Sequence, residues 1–304
     1  MSSSLPDGFQ ARVATPADIQ AAADIVRAEE RSLRGESIWD VSDIADFWRL
    51  ANFEDGSWIV ERGGDPVAFV ACLERGDETH SWASVHPEAE GNGLATWLLG
   101  RAEQRGRKVG SRSLQAGRFA ENTAAHALLE RLAFREVRHF YRMRIELDQE
   151  PEPPQWPAGV EPATFRPENA RAFHEALNDA FAEEWGFHSM PFDEWRQIRL
   201  EAPDTDLSLW FMAREGDAIA GVARCEGKRD GGGWIGALGV RKRWRRRGLG
   251  LALLRQAFRE FHRRGEPHVG LGVDAANPTG ATQLYERAGM RVISEDVVYE
   301  KELV

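Results

Sequence analysis

The spacing of apolar positions switches between two periods along the chain, and each switch marks an element. Residues 209–215 (LWFMARE) and 218–226 (AIAGVARCE) are short β-rich runs meeting at Gly216 and Asp217, which predicts a hairpin. WIGALGV at 234–240 predicts a third strand. Past a basic loop, Leu251, Leu254, Phe258 and Phe261 recur at helical spacing, and Gly265 followed by Pro267 supplies a stop. VGLGVD at 269–274 predicts a further strand, Asn277 and Pro278 an N-cap and N1 pair opening a helix to Gly289, and VISEDVVYEKEL the closing strands of this half. Strand, loop, helix, strand over 234–273 is a βαβ crossover, so its two strands are expected to be parallel neighbours.

The same succession is written earlier in the chain. WIVERGGDPVAFVA at 58–71 matches WFMAREGDAIAGVA at 210–223, EGNGLA at 90–95 stands opposite RRRGLG at 245–250, and LLERLAF at 128–134 opposite LYERAGM at 284–290. Between the copies, LDQEPEPPQWPAGVEP at 147–162 is rich in Pro and Glu, a composition that resists packing and predicts an extended linker. The expectation is an α/β fold in two tandem domains, residues 1–148 and 161–304, joined by a linker at 149–160. Each domain is a mixed, mostly antiparallel sheet with a central parallel βαβ pair flanked by helices.

A chain of 304 residues with 42% apolar and 29% charged residues can build two packed cores. Its longest apolar run, VAFVACL at 67–73, is far short of the roughly 18 residues that span a bilayer, and MSSSLPDGF has neither the basic head nor the apolar region of an export signal. A cytoplasmic location with no membrane partner is expected. Cys72 and Cys225 form no C-x-x-C and read as small core residues, and the eight histidines show no H-E-x-x-H, so no metal is expected.

Charge changes the picture at residues 241–247, RKRWRRR, which put six basic side chains into seven positions. The chain's formal net charge is −10, and subtracting these six leaves −16 for everything else. Three readings compete. A solvated basic loop is the plainest. A nucleic-acid patch would gain from counterion release, but the acidic remainder repels a duplex, and no nucleic-acid partner is expected. The third is an anion cradle: Gly248 and Gly250 lie where strand turns into helix, so backbone N–H groups can approach a phosphate at the positive end of a helix dipole, with arginines as further donors.

The loop R-x-x-G-x-G at 245–250, set between strand and helix and followed by N-P-T-G-A-x-x-L-Y-E-R-A-G-M at 277–290, resembles the Gcn5-related N-acetyltransferases. The resemblance is sharp in the second copy and weak in the first, and the tandem arrangement is similar in organisation to that of the mycothiol synthases. It implies acetyl-CoA as co-substrate. The pyrophosphate would lie on Arg245, Arg246, Arg247, Gly248, Leu249 and Gly250, and the pantetheine would pair with the edge of Leu238, Gly239 and Val240. Gly236, Gly239, Gly270 and Gly272 mark close approach by another chain or a ligand, and the pantetheine arm would be such a ligand. Tyr285 occupies the position of the acid that protonates the departing thiolate, a task suited to a phenol; the alternative is a packed aromatic beside Leu284 and Met290. Asn277 is implied as a pantetheine contact, an N-cap, or both.

The first copy departs twice. Glu90 stands where the second has Arg245, opposing a pyrophosphate, and Leu129 stands where it has Tyr285; Gly93 and Ala95 survive. That copy is expected to be non-catalytic, with residual CoA binding left open. On the acceptor side, AFAEEWGFHSMPFDEW at 180–195 alternates aromatic and acidic residues, which suits a cationic amine held by Glu183, Glu184, Trp185 and Phe187; an amphipathic helix pair with Trp185, Phe187 and Trp195 in the core is the other reading. WIGALGV carries no glutamate, so Glu183, Glu184 or a relayed water is left as base. The expected activity is acetyl transfer to a small-molecule primary amine by direct attack, in a monomer or homodimer. The rival is a non-catalytic acyl-CoA sensor.

Overall fold

The computed structural model describes residues 4–39, 41–203, 205–229 and 231–303. Two compact units result, an N-terminal one of Met1–His139 with Glu295–Val304 and a C-terminal one of Phe140–Ser294.

In the N-terminal unit, β1 (Gln10–Val13), β2 (Trp58–Arg62), β3 (Asp65–Arg75), β4 (Glu78–Val85) and β5 (Ser113–Phe119) are sheet neighbours in that order. All pair antiparallel except β4 with β5, which are parallel because α3 (Leu94–Val109) crosses between them. Alternation along β2 and β3 sorts the core onto two faces. Val60, Ala68, Val70 and Cys72 pack with α3 and α4 (Thr123–Arg131); Ile59, Phe69 and Ala71 pack with α1 (Ile19–Arg34) and α2 (Val41–Leu50).

The C-terminal unit repeats this plan. β7 (Glu161–Thr164), β8 (Trp210–Glu215), β9 (Ala218–Arg229) and β10 (Gly232–Val240) are antiparallel neighbours, and β10 pairs parallel with β11 (His268–Asp274) through α7 (Leu249–Arg263). The predicted hairpin closes at Glu215↔Ala218, with Gly216 at φ +60°. α5 (Ala170–Phe181) and the short α6 (Phe192–Trp195) pack on one face, where Phe165, Phe173, Trp195 and Trp210 form a ring cluster. Burial of such a ring contributes about 2–3 kcal/mol. Trp195 therefore belongs to the core. No helix among the described residues is long and apolar enough to cross a membrane.

Three expectations need correction. The last strand, β12 (Arg291–Glu302), does not close the second copy: Asp296–Glu302 pair antiparallel with β5, while β11 pairs antiparallel with Phe140–Glu146 of β6 (Arg135–Glu146). Both closing strands offer similar alternating ladders, and alternation fixes which face a strand presents without fixing which parallel pair it joins. The 147–160 stretch has neither helix nor strand, yet it is docked: Arg255 reaches Glu152, Arg259 reaches Glu150 and the Pro151 carbonyl, and Leu147 and Val160 are buried. Finally, α8 runs only over Ala281–Arg287 and is entered through Gly280 at φ +79°. Asn277 is not its N-cap, because its side-chain oxygen accepts from the Thr279 N–H at 2.9 Å in a local turn.

Candidate active site

In both units the parallel pair opens toward its carboxyl end, where open α/β sheets hold ligands. The β10–β11 ladder ends at Ile235↔Leu271 although the strands run on to Val240 and Asp274. The β4–β5 ladder ends at Ser81↔Ala116 although those strands run on to Val85 and Phe119. In the C-terminal unit a bulge accompanies the opening. Pairing of β10 with β9 jumps from Ile235↔Cys225 to Ala237↔Arg224, leaving Gly236 as a bulged residue, and a bulge bends its strand.

The basic loop follows. Gly248, at φ +84°, caps α7, and a side chain there would meet nothing within 4 Å. The backbone N–H groups of Arg246, Arg247 and Gly248 make no hydrogen bond to the described residues, so they form an open nest at the end of a 15-residue helix. Arg246 sits at φ +63°, a conformation that is costly for a side-chain-bearing residue. The other basic residues are largely spent on the protein. Arg241 pairs with Asp179, Lys242 with Glu183, Arg247 with Glu215, and Arg243 lies over Trp244. Arg245 turns inward to Glu183 (2.7 Å) and to the carbonyls of Val240 (3.0 Å) and Ala180 (2.9 Å). Arg246 is the loop cation with no hydrogen bond, ion pair or ring contact among the described residues. The nest together with Arg246 fits a pyrophosphate.

Around the other predicted positions the protein is closely packed. Leu249 is buried, Leu238 is partly buried against the core, and a Cβ at Gly250 would lie 2.9 Å from Leu284 Cδ2. A Cβ at Gly239 would lie 2.7 Å from that of Ala180, so glycine there lets α5 lie on the strand. Gly236 and Gly270 likewise face Arg224 and the Trp234 ring, and Gly272 alone of the four strand glycines is open. At three of the four, protein atoms make the close approach that a strand glycine marks.

Tyr285, on α8, is 7% exposed. Burial, with the charge of Glu184 nearby, pushes its phenol up and keeps it protonated. Glu184 accepts from the Asn277 amide at 3.1 Å, and burial raises its carboxyl above the usual range, with the Asp274 charge adding to the rise. Its neighbour Glu183 moves the other way, because Lys242 and Arg245 hydrogen-bond its charged form. The structure thus brings Glu184, Asn277 and Tyr285 together and commits Glu183 to the loop. Trp185 is exposed and near Phe140, and Phe187 is half-buried beside Phe181.

Sequence reasoning missed the opening in the N-terminal unit. A cavity of about 380 Å³ lies there, bounded by the ends of β4 and β5, the 89–93 loop, α3 and α4. Its loop repeats the second one in backbone, with Gly91 at φ +76° and Gly93 at φ +81°. Glu29 and Arg118 are buried in its wall.

Strands that part over a helix N-terminus accommodate a long phosphate-bearing ligand, and an uncommonly basic carboxyl beside a protonated phenol suits proton transfer. Together these features suit group transfer. The model of the acetyltransferase (GNAT) family matches residues 21–134 and again 170–290. The chain belongs to this family and is an N-acetyltransferase built from two such regions in tandem. Mycothiol acetyltransferase of Thermobispora bispora is 31% identical over 78% of this chain and 81% of its own, and that of Catenulispora acidiphila 30% identical over 71% and 70%. Among solved structures, a Gcn5-related N-acetyltransferase from Sphaerobacter thermophilus superposes with a TM-score of 0.84 at 34% identity, covering 99% of this chain and 97% of that one. A tandem GNAT protein from the clavulanic acid biosynthesis pathway shares the fold, with a TM-score of 0.74 at 17% identity over 97% and 99%.

Proposed function

We propose that the C-terminal unit transfers the acetyl group of acetyl-CoA to the primary amine of a small molecule, by direct attack and without an acetylated enzyme. The observation that carries this reading is the meeting at one site of Glu184, hydrogen-bonded to Asn277 at 3.1 Å, with the buried phenol of Tyr285, both groups raised by burial. When bound, acetyl-CoA supplies an activated acetyl thioester. The free amides at Arg246–Gly248 and the Arg246 guanidinium hold its phosphates. Glu184 binds the incoming ammonium, and its carboxylate takes the proton that must leave before the nitrogen can attack. Asn277 fixes that carboxylate through its amide. Tyr285 returns a proton to the departing sulfur. Neither cysteine competes as a nucleophile: burial raises both thiols far above neutrality.

Small-molecule scale is supported by the relatives named mycothiol acetyltransferase. Trp185 and Phe187 offer rings beside Glu184, which favours an acceptor with an apolar or ring-shaped body. The test is free-thiol release from acetyl-CoA across amino sugars, polyamines, amino acids and peptides. Release with a small cationic amine is expected; binding of acetyl-CoA without release for any amine would favour the sensor.

A further inference from the structure

The N-terminal cavity has a polar floor that acetyl transfer does not use. Glu29, 7% exposed on α1, accepts hydrogen bonds from the Ser84 hydroxyl and from the Asn122 amide at 2.8 Å. Arg118, 9% exposed near the end of β5, carries five donors, yet its one hydrogen bond among the described residues goes to the adjacent Gly117 carbonyl. The two charges sense each other, but they form no direct ion pair. Its remaining donors have no protein acceptor among the described residues, and the side chain lines an open space rather than packed protein. Ala83, Val85, Leu94, Leu98 and Leu128 make an apolar wall, and the exposed Glu90 and Arg131 stand at the rim.

We propose that this cavity binds a free α-amino acid with a large apolar side chain, its ammonium on Glu29 and its carboxylate on Arg118. The floor sets an acidic and a basic side chain apart from each other, and a zwitterion offers each its complement while adding no net charge. A simple amine would leave Arg118 without an anion, and a simple carboxylate would face Glu29. The side chain then covers the leucine and valine wall, and about 380 Å³ is in the range of small-ligand sites. Glu90 at the loop disfavours a pyrophosphate in the same place. The proposal stands apart from the chemistry of the C-terminal unit, since its readout is binding.

The experiment is a thermal-shift and calorimetric titration of the full chain with L-leucine, L-isoleucine, L-methionine and L-phenylalanine. Parallel titrations use 4-methylpentanoate and isopentylamine, which are leucine without its amine and without its carboxylate. At least one amino acid should bind, with each truncated analogue at least about tenfold weaker, the least that losing a charge-assisted contact costs. Arg118→Gln and Glu29→Gln should abolish the response. The analogue series needs no variant, so misfolding of either one leaves the test intact. No binding by any of the four, equal binding by an analogue, or two acetyl-CoA per chain with one lost in Arg118→Gln would each overturn the proposal.

Discussion

The two openings share a backbone and exchange their chemistry. Ser84 and Gly239 each precede the last residue of the inner strand, Glu29 and Ala180 are each the eleventh residue of the helix above it, and Arg118 and Asp274 lie five residues past the matched pairs Glu78↔Ser113 and Gly233↔Val269. In the N-terminal unit the helix meets the strand through a Glu29–Ser84 hydrogen bond beside a cavity; in the C-terminal unit Ala180 touches Gly239 without polar contact. The loop acid Glu90 opposes the loop base Arg245, and the strand-end base Arg118 opposes the strand-end acid Asp274. A fold can thus keep its loop conformation, with one glycine in common, while reversing the sign of the groups around it.

The largest test of this contrast is the phenol. Tyr285→Phe keeps the ring in its packed place and removes the proton, so turnover should fall about a hundredfold or more while acetyl-CoA affinity stays nearly constant. Leu129→Tyr, which writes the same residue into the other unit, should restore nothing to that variant. Unchanged turnover in Tyr285→Phe would mean that water protonates the sulfur.

Next comes the loop. Gly93 and Gly248 both have φ above +80°, and a Cβ would meet only Pro6 Cγ at 3.9 Å at the first and nothing within 4 Å at the second, so Gly93→Glu and Gly248→Glu carry similar backbone strain. Acetyl-CoA protection in a thermal-shift assay should weaken at least about tenfold for Gly248→Glu and persist for Gly93→Glu. Equal losses would place the cofactor in both units.

Glu183 and Glu184 sharpen the acceptor side. Glu184→Gln should lower kcat/KM roughly tenfold at neutral pH, with acetyl-CoA binding unchanged. Because burial raises Glu184, wild-type turnover should drop as pH falls through a value above the ordinary carboxylate range, and the variant should lose that limb. Glu183→Gln should stay within about twofold, since Glu183 is tied to Lys242 and Arg245. If both variants act alike, the assignment of Glu184 as base fails.

Periodicity sufficed for the repeat, the hairpin, the parallel pair and α7, because each is a local pattern. The exchange of closing strands was illegible, since β6 and β12 present similar alternation and the choice is made by tertiary packing. In the site, the glycine loop and Tyr285 could be read from their flanking residues. Arg246 could not be told from its five basic neighbours, because their acid partners, Asp179, Glu183 and Glu215, lie far away in sequence. The N-terminal cavity had one faint signal. Glu29 falls on the buried side of ADIVRAEE at 23–30, and Arg118 follows Leu114 and Ala116 on one face of β5, so two charges sit where periodicity asks for apolar residues.

The smallest expected effect isolates what that pair costs. Burial raises the Glu29 carboxyl, against the opposing pull of the Ser84 hydrogen bond and the Arg118 charge, so the folded state favours its protonated form. The sign follows: stability from a raised group is fully present below the unfolded carboxyl value, about 4.3, and is lost as pH rises through the higher folded value. At neutral pH that contribution is diminished, and the carboxyl has no ion-pair partner in contact among the described residues. Glu29→Gln removes the titrating group and retains an acceptor for the Ser84 hydroxyl or the Asn122 amide. Its unfolding midpoint should exceed the wild-type value by a few degrees at pH 7, with the gap closing toward pH 4. Ala180, at the matched place in the C-terminal unit, has no charge to relieve, so Ala180→Gln should only crowd Gly239 and lower the midpoint at every pH. A Glu29→Gln variant that is less stable than wild type at pH 7 would show that the carboxylate is held by Arg118 after all, and the floor would then be a closed ion pair with no capacity for a ligand.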